Sequence, residues 1–390
     1  MRGVIKFVLT LILVVALAWL GLWWYAQGRL QNGFQAWAEQ QATHGVTVAY
    51  AGLQRGTSPT EASLAISNLT VTLPQTTNGT QAVITLPSLV MRIEAASPTV
   101  LHVDFPNKIT VNAGGNLDLA INSGGIAASE TLDPNALFNK NIYPFRAGDF
   151  SATNVDFLAS SGSLLVLHVD SFTGHANINP NAGAGDTALG ETLTLNGMAL
   201  SPLMTRIASV PFGGKIDQLT TTIDLSGPVP PQIYTLPDQI RAAQHDTIAQ
   251  QKLVVPIIHQ WASAGGSGSI GLTLAIGPST ASANAAVKFD ANLQPEGTAN
   301  ATANHLDQFT AAIVNAYPQL QDNIAAAEAQ LTPYITTTGP SGQTLTIHTT
   351  YGAGAVTING TKVTTLPNIN WTTLENPTPA PVPATPSPGQ

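Results

Sequence analysis

The chain of 390 residues has no cysteine. That excludes a disulfide framework, a thiolate metal ligand and a cysteine nucleophile. Charge is scarce as well, with Asp, Glu, Lys and Arg at 9% and a net charge of -8. The 14 Lys and Arg are scattered, and no two stand closer than Arg2 and Lys6. Binding to nucleic acid needs clustered cations, so nucleic acid is excluded as a partner. Also missing are G-x-x-x-x-G-K-[ST], H-E-x-x-H and G-x-S-x-G, which removes the motif support for phosphate-loop, zinc-hydrolase and serine-hydrolase chemistry. Apolar residues nonetheless reach 44%, so the composition is that of a folded protein. Thr, Ser and Asn fill the polar quota, as on a solvated pleated surface.

What is present starts with Phe7 to Ala26, a run without Asp, Glu, Lys, Arg or His. A helix of roughly 20 residues spans the roughly 30 Å apolar core of a bilayer. Arg2 and Lys6 precede the run and no acid does, which places the N-terminus in the cytoplasm and the bulk across the membrane. Trp19, Trp23, Trp24 and Tyr25 crowd its far end as an interfacial belt. The alternative is a cleaved secretory signal, for which Ala16-Leu17-Ala18 has the required form. Either way the rest of the chain is exported.

Residues 1–27 thus read as anchor or signal sequence, 28–375 as a β-rich region and 376–390 as a Pro-rich disordered tail. The β-rich region divides into two sub-domains, if it divides at all, near 177–190 or 227–237. Arg29 to Ala42 continues the anchor helix, ended by Gly45. Strand patterns follow at Val46–Tyr50, Ser63–Leu73, Ala82–Leu86, Ser88–Glu94, Val100–Phe105, Lys108–Asn112, Asn116–Asn122, Gly148–Leu158 and Ser163–Val169, with prolines at intervals of about ten residues, as in an antiparallel meander. Further strands are expected at Glu191–Leu200, Lys215–Leu225, Ile270–Ile276, Ala283–Leu293, Thr298–Ala303, Leu345–Thr349 and Ala355–Ile358. Helices are expected at Pro202–Ser209, at Asp238–Ala262 with a kink or break at Pro256, and from Leu306 to Leu331, split at Pro318. The fold class is α+β, mostly antiparallel sheet with a few packed helices behind one N-terminal transmembrane helix.

Candidate sites are few. Leu101-His-Val-Asp104 and Leu167-His-Val-Asp170 repeat one phrase, and alternation puts each His and Asp on one strand face, which fits a solvated face better than a site. A turn bringing His168, His175 and Asp170 together could hold a metal. Gly266 to Gly271 fits G-x-G-x-x-G, but a helix precedes it and a strand follows, the reverse of a dinucleotide site. No cofactor is implied. The apolar stripe Leu306, Phe309, Ile313, Leu320 and Ile324 either packs on the sheet or lines a groove for a lipid chain.

The Trp37…Gly45-Val-Thr-Val48 entry, the strand Ile270-Gly-Leu-Thr-Leu-Ala-Ile276, Leu293-Gln-Pro-Glu-Gly297, the helix from Leu306, the hairpin Val356-Thr-Ile-Asn-Gly-Thr-Lys362 and the closing Leu366-Pro-Asn-Ile-Asn-Trp371 together resemble the uncharacterised bacterial family called domain of unknown function 2125, over roughly residues 20 to 371. The resemblance implies a protein of the bacterial envelope, single-pass in the inner membrane with its bulk in the periplasm. It implies no established activity and carries over no catalytic residue. Three functions compete. One is a protein binding lipid or another apolar ligand on a curved sheet, with membrane lipid as its partner through the N-terminal helix. The second is an envelope scaffold that pairs with other envelope proteins. The third, a hydrolase, has the least support.

Overall fold

The computed structural model describes residues 2–75, 80–114, 118–137, 144–159, 162–243, 246–337 and 342–377, with side chains in the first helix described at 21 and from 23 onward. That helix, α1 (Arg2–Thr43), is continuous, and the chain leaves it at Gly45. Among the described residues no helix is long and apolar enough to cross a membrane. The side chains of residues 7–20 and 22, Trp19 among them, lie outside those described, as do the tail residues 378–390.

The strands β1 (Thr47–Ala49) and β2 (Gly52–Arg55) both pair with β3 (Glu61–Thr72). A meander follows in which each long strand is antiparallel to the one before it. It runs through β4 (Val83–Glu94), the interrupted strand β5 (Val100–Phe105) and β6 (Lys108–Asn112), its interrupted neighbour β7 (Asp118–Asn122) and β8 (Gly125–Leu132), then β9 (Phe145–Ala159), β10 (Leu164–Ile178) and β11 (Thr187–Leu200). After α2 (Pro202–Ala208) comes β12 (Lys215–Ser226), then α3 (Leu236–Ala242) and α4 (Thr247–Ser263), and the sheet resumes with β13 (Ser267–Ile276), β14 (Ser279–Phe289) and β15 (Pro295–Asn304). Helices α5 (Leu306–Ala316) and α6 (Gln321–Leu331) precede β16 (Ile335–Thr337), β17 (Gln343–Gly352), β18 (Ala355–Ile358) and β19 (Thr361–Thr365), and α7 (Trp371–Glu375) follows. The described residues form a single sheet of 19 strands. The architecture is α+β and mostly antiparallel, as the patterning predicts.

Several boundaries differ from the sequence reading. Strand β4 runs unbroken through Pro87, which was expected to divide it. The helix expected over Asp238–Ala262 breaks at Asp246, whose carboxylate caps α4 by accepting from Ile248 and Ala249; Pro256 stays inside α4. The break at Tyr317-Pro318 falls where proline predicts it. Strand β8 carries mostly small or polar side chains and was not anticipated, whereas β19 is the second arm of the hairpin read at Val356–Lys362. Strands β10 and β11 pair from Leu167↔Leu200 to Ile178↔Leu189, well into the segment expected as a loop at 177–190.

A crease crosses half the sheet. Asn68 of β3 faces Pro87 of β4, Gly124 faces Asn154 of β9, and Asp170 of β10 lies between Asn154 and Gly197 of β11. Asn68, Asn154 and Gly197 have φ of 49°, 47° and 63°, and a left-handed residue inverts the pleat. Apolar partners there are consequently three apart instead of two: Ile66 and Leu69, Ala152 and Val155 are all buried. Gly197 has no alternative, since a Cβ would lie 1.8 Å from the Asp170 carboxylate.

The lower half of α1 covers one end of the sheet. Leu30 and Phe34 pack on Leu64, Ile66, Leu69, Leu86 and Leu89, a core whose centre, Leu64 and Ile66, has 0% exposure. Phe34 meets Tyr50 edge to face at 5.4 Å.

Candidate functional site

Strand register decides which residues share a face, because successive side chains alternate. Reading straight across from β3, one row runs Leu64, Met91, Val103, Ala128, Phe150, Gly174, Leu193, Thr221, Leu272, Ala283, Ala301 and Ile347. Thr221 alone carries a polar side chain. The row one residue along, on the opposite face, runs Ser63, Arg92, His102, Ser129, Asp149, His175, Thr192, Thr222, Gly271, Asn284, Asn300 and His348. The sheet therefore has one apolar face and one polar face across its length.

The polar face satisfies itself. Asn300 donates to Asn284 at 2.9 Å, Asn196 to Ser171 at 3.0 Å and Gln218 to Asn196 at 3.2 Å. A hollow of about 420 Å³ there is lined by Arg92, His102, Asp104, Asp149 and His175. Its charges are paired: Arg92 with Asp104 at 3.1 Å and Glu94 at 3.0 Å, His175 with Asp149 at 2.8 Å. A larger hollow of about 620 Å³ lies between Asp224 and Thr357, with Lys288 and Glu296 at 3.8 Å across it.

The apolar face changes character along its length. Beneath α1 it is the core. Around β9 and β10 it holds a second buried cluster, Ala152, Val155 and Val169 at 4%, 6% and 4% exposure, ringed by partly buried Phe150, Phe172 and Leu195. From β12 onward it faces outward: Ile223 is 39% exposed, Ile270 55% and Leu272 44%. There Ala281, Ala283 and Ala285 of β14 stand beside Ala303, Ala301 and Ala299 of β15, a floor of methyl groups. Leu274, Leu272 and Ile270 of β13 flank it on one side, Leu345 and Ile347 of β17 on the other. A hollow of about 280 Å³ occupies this lane. Exposed apolar surface of this continuity marks a contact site in soluble proteins.

Aromatic groups close the strand ends on either side of the lane. At one end Phe309 of α5 stacks on Phe212 at 5.7 Å. At the other, Trp261 of α4 donates to the Ser226 carbonyl at 2.9 Å and meets Phe289 edge on at 6.0 Å. Trp371 donates to the Leu293 carbonyl at 3.0 Å and stacks on His259 at 4.7 Å. The C-terminal segment is fastened here by Gln294, which donates to and accepts from the Ile369 backbone.

The residues singled out in the sequence fall as follows. Phe309 belongs to the end closure, and Leu306, Ile313 and Ile324 are half-buried beside it, with Leu320 at 36% exposure. Trp24 and Tyr25 are 68% and 52% exposed. Trp23 is half-buried and donates to the Glu61 carbonyl at 2.8 Å, which ties the helix to β3. His168 and His175 do not meet, because β10 runs straight through both: His168 sits between Asp156 at 2.6 Å and Asp170 at 3.1 Å. Among the described residues no group of His, Asp or Glu could hold a metal ion. The hydrogen bond that the protonated His168 ring donates to Asp156 raises its pKa against partial burial, and Asp170 adds to the rise. Gly266 to Gly271 leads from α4 into β13, with no helix behind it. The alternating alanines of β14 and β15 were the one local signal for the lane, and sequence reasoning took them only as strands.

No curated protein and no solved structure matches this chain. The family model described as an uncharacterized protein conserved in bacteria, domain of unknown function 2125, matches residues 23–367. With that span covering the sheet from α1 to β19, the chain belongs to this family.

Proposed function

We propose that the protein is a membrane-tethered component of the bacterial envelope that holds a lipid or another long apolar molecule on the open face of its sheet. The row from Leu64 to Ile347 carries this reading. It begins in a closed core and ends as an exposed lane with a methyl floor and branched walls. A folded protein keeps such a surface when something covers it. The tether is the charge-free run Phe7–Ala26 behind Arg2 and Lys6, which sets the bulk on the periplasmic side.

The test is native mass spectrometry of the full-length protein released gently from membranes, with lipid extraction of the same sample. Lipid at defined stoichiometry is expected, and Leu272→Asp, at a 44% exposed position, should remove it without unfolding the protein. Lipid-free protein under the same conditions would sink the reading. The second reading, an envelope scaffold, is favoured by β19, which among the described residues pairs with β18 alone and is exposed at every position; an edge strand of this kind accepts a partner strand.

A further inference from the structure

The apolar face carries two acids. Glu130 of β8 and Glu191 of β11 stand in one cross-strand row, Glu130–Gly148–Ala176–Glu191, which continues into the lane through Ile223 and Ile270. Both line a hollow of about 460 Å³ whose other walls include Phe145, Phe150, Ile178 and Leu193. Both are half-buried. Among the described residues neither carboxylate makes a hydrogen bond or an ion pair. The site is shaped around Glu130, because a Cβ on Gly148 would lie 3.1 Å from its carboxylate. A desolvated carboxylate without a cation is costly, and burial, followed by the charge of Asp149, raises the Glu130 pKa.

We propose that this hollow takes the ammonium headgroup of a net-cationic amphiphile whose alkyl chain lies along the lane toward Ile223 and Ile270. The inference rests on the apolar-ligand reading above and adds the class of ligand. Three strand spacings of roughly 4.8 Å separate the two acids, so a headgroup over Gly148 and Ala176 lies within reach of both. A phosphate headgroup would meet two carboxylates and, among the described residues lining the hollow, His175 as the sole basic side chain, which belongs to the opposite face and is already paired with Asp149.

The experiment uses the full chain in neutral-detergent micelles at pH 8, with a neutral apolar dye as reporter. Dodecylammonium, dodecanol and dodecyl phosphate compete for it. Dodecylammonium should displace the dye at about a tenfold lower concentration than dodecanol, the advantage of one charge-assisted contact, and dodecyl phosphate should be the weakest. In the double variant Glu130→Gln, Glu191→Gln the amine and the alcohol should converge. The double variant Asp322→Asn, Glu328→Gln, on α6, removes the same two charges and should keep the preference, which separates the site from the overall charge of -8. An unchanged preference in the double variant, or phosphate binding as well as amine, overturns the headgroup inference and leaves the lane intact. Failure of all three amphiphiles to displace the dye, or of the dye to bind, overturns the lane and the headgroup together.

Discussion

His168 is a residue whose surroundings can be weighed directly. Its imidazole lies between Asp156 and Asp170, and the Asp156 hydrogen bond dominates. The folded chain therefore binds its proton more tightly than the unfolded chain. The resulting stability is fully present below the ordinary histidine value of about 6.5 and is lost as pH rises through the higher folded value. With the side chain 34% exposed, solvent screening holds the effect to about 0.5 kcal/mol. Thermal melts at pH 6 and pH 9 should therefore differ less in His168→Gln than in the parent. An unchanged difference would show that Asp156 does not hold the proton. At this scale the sequence was informative in part: the i, i+2 spacing of His168 and Asp170 does put both on one face, but Asp156 comes from the neighbouring strand, and no local pattern announces a partner twelve residues away.

At the scale of elements, the closures at the strand ends matter most. Phe309 stacks on Phe212, and the stripe of α5 is half-buried against that end of the sheet. Phe309→Ala should destabilise the protein by about 2 kcal/mol, below the range for a fully buried ring because this one is only half-buried. Urea unfolding measures it, and a loss under about 0.5 kcal/mol would mean that the stack is decorative. Helices and long strands were legible because their periods are local. The break at Pro318 was legible for the same reason. The break at Asp246 was not, since capping competes with an apolar pattern that runs on past it. Strand β4 passes Pro87 because that position lies opposite Asn68 in the crease, where no ladder hydrogen bond is lost. Strand β8, with Ala127, Ala128 and Ser129 at its middle, has little apolar alternation to read.

At the scale of the whole molecule, protection should follow burial along the meander. Hydrogen exchange is expected to be slowest in β3 around Leu64 and Ile66, at 0% exposure beneath α1, and fastest in β18 and β19; uniform protection would contradict a sheet closed at one end and open at the other. The two faces were invisible in the sequence because they are made by register. Each strand shows its own alternation, but only pairing aligns Leu64 with Ile347. The same next-neighbour pairing bears on how the molecule comes into being. Most pairings join strands consecutive in the chain, so assembly can proceed by accretion from the first hairpins, with longer loops to close where helices intervene, between Ser226 and Ser267 and between Asn304 and Gln343. The cost falls on the growing margin: at each stage the newest strand presents open backbone groups that any other chain could pair with.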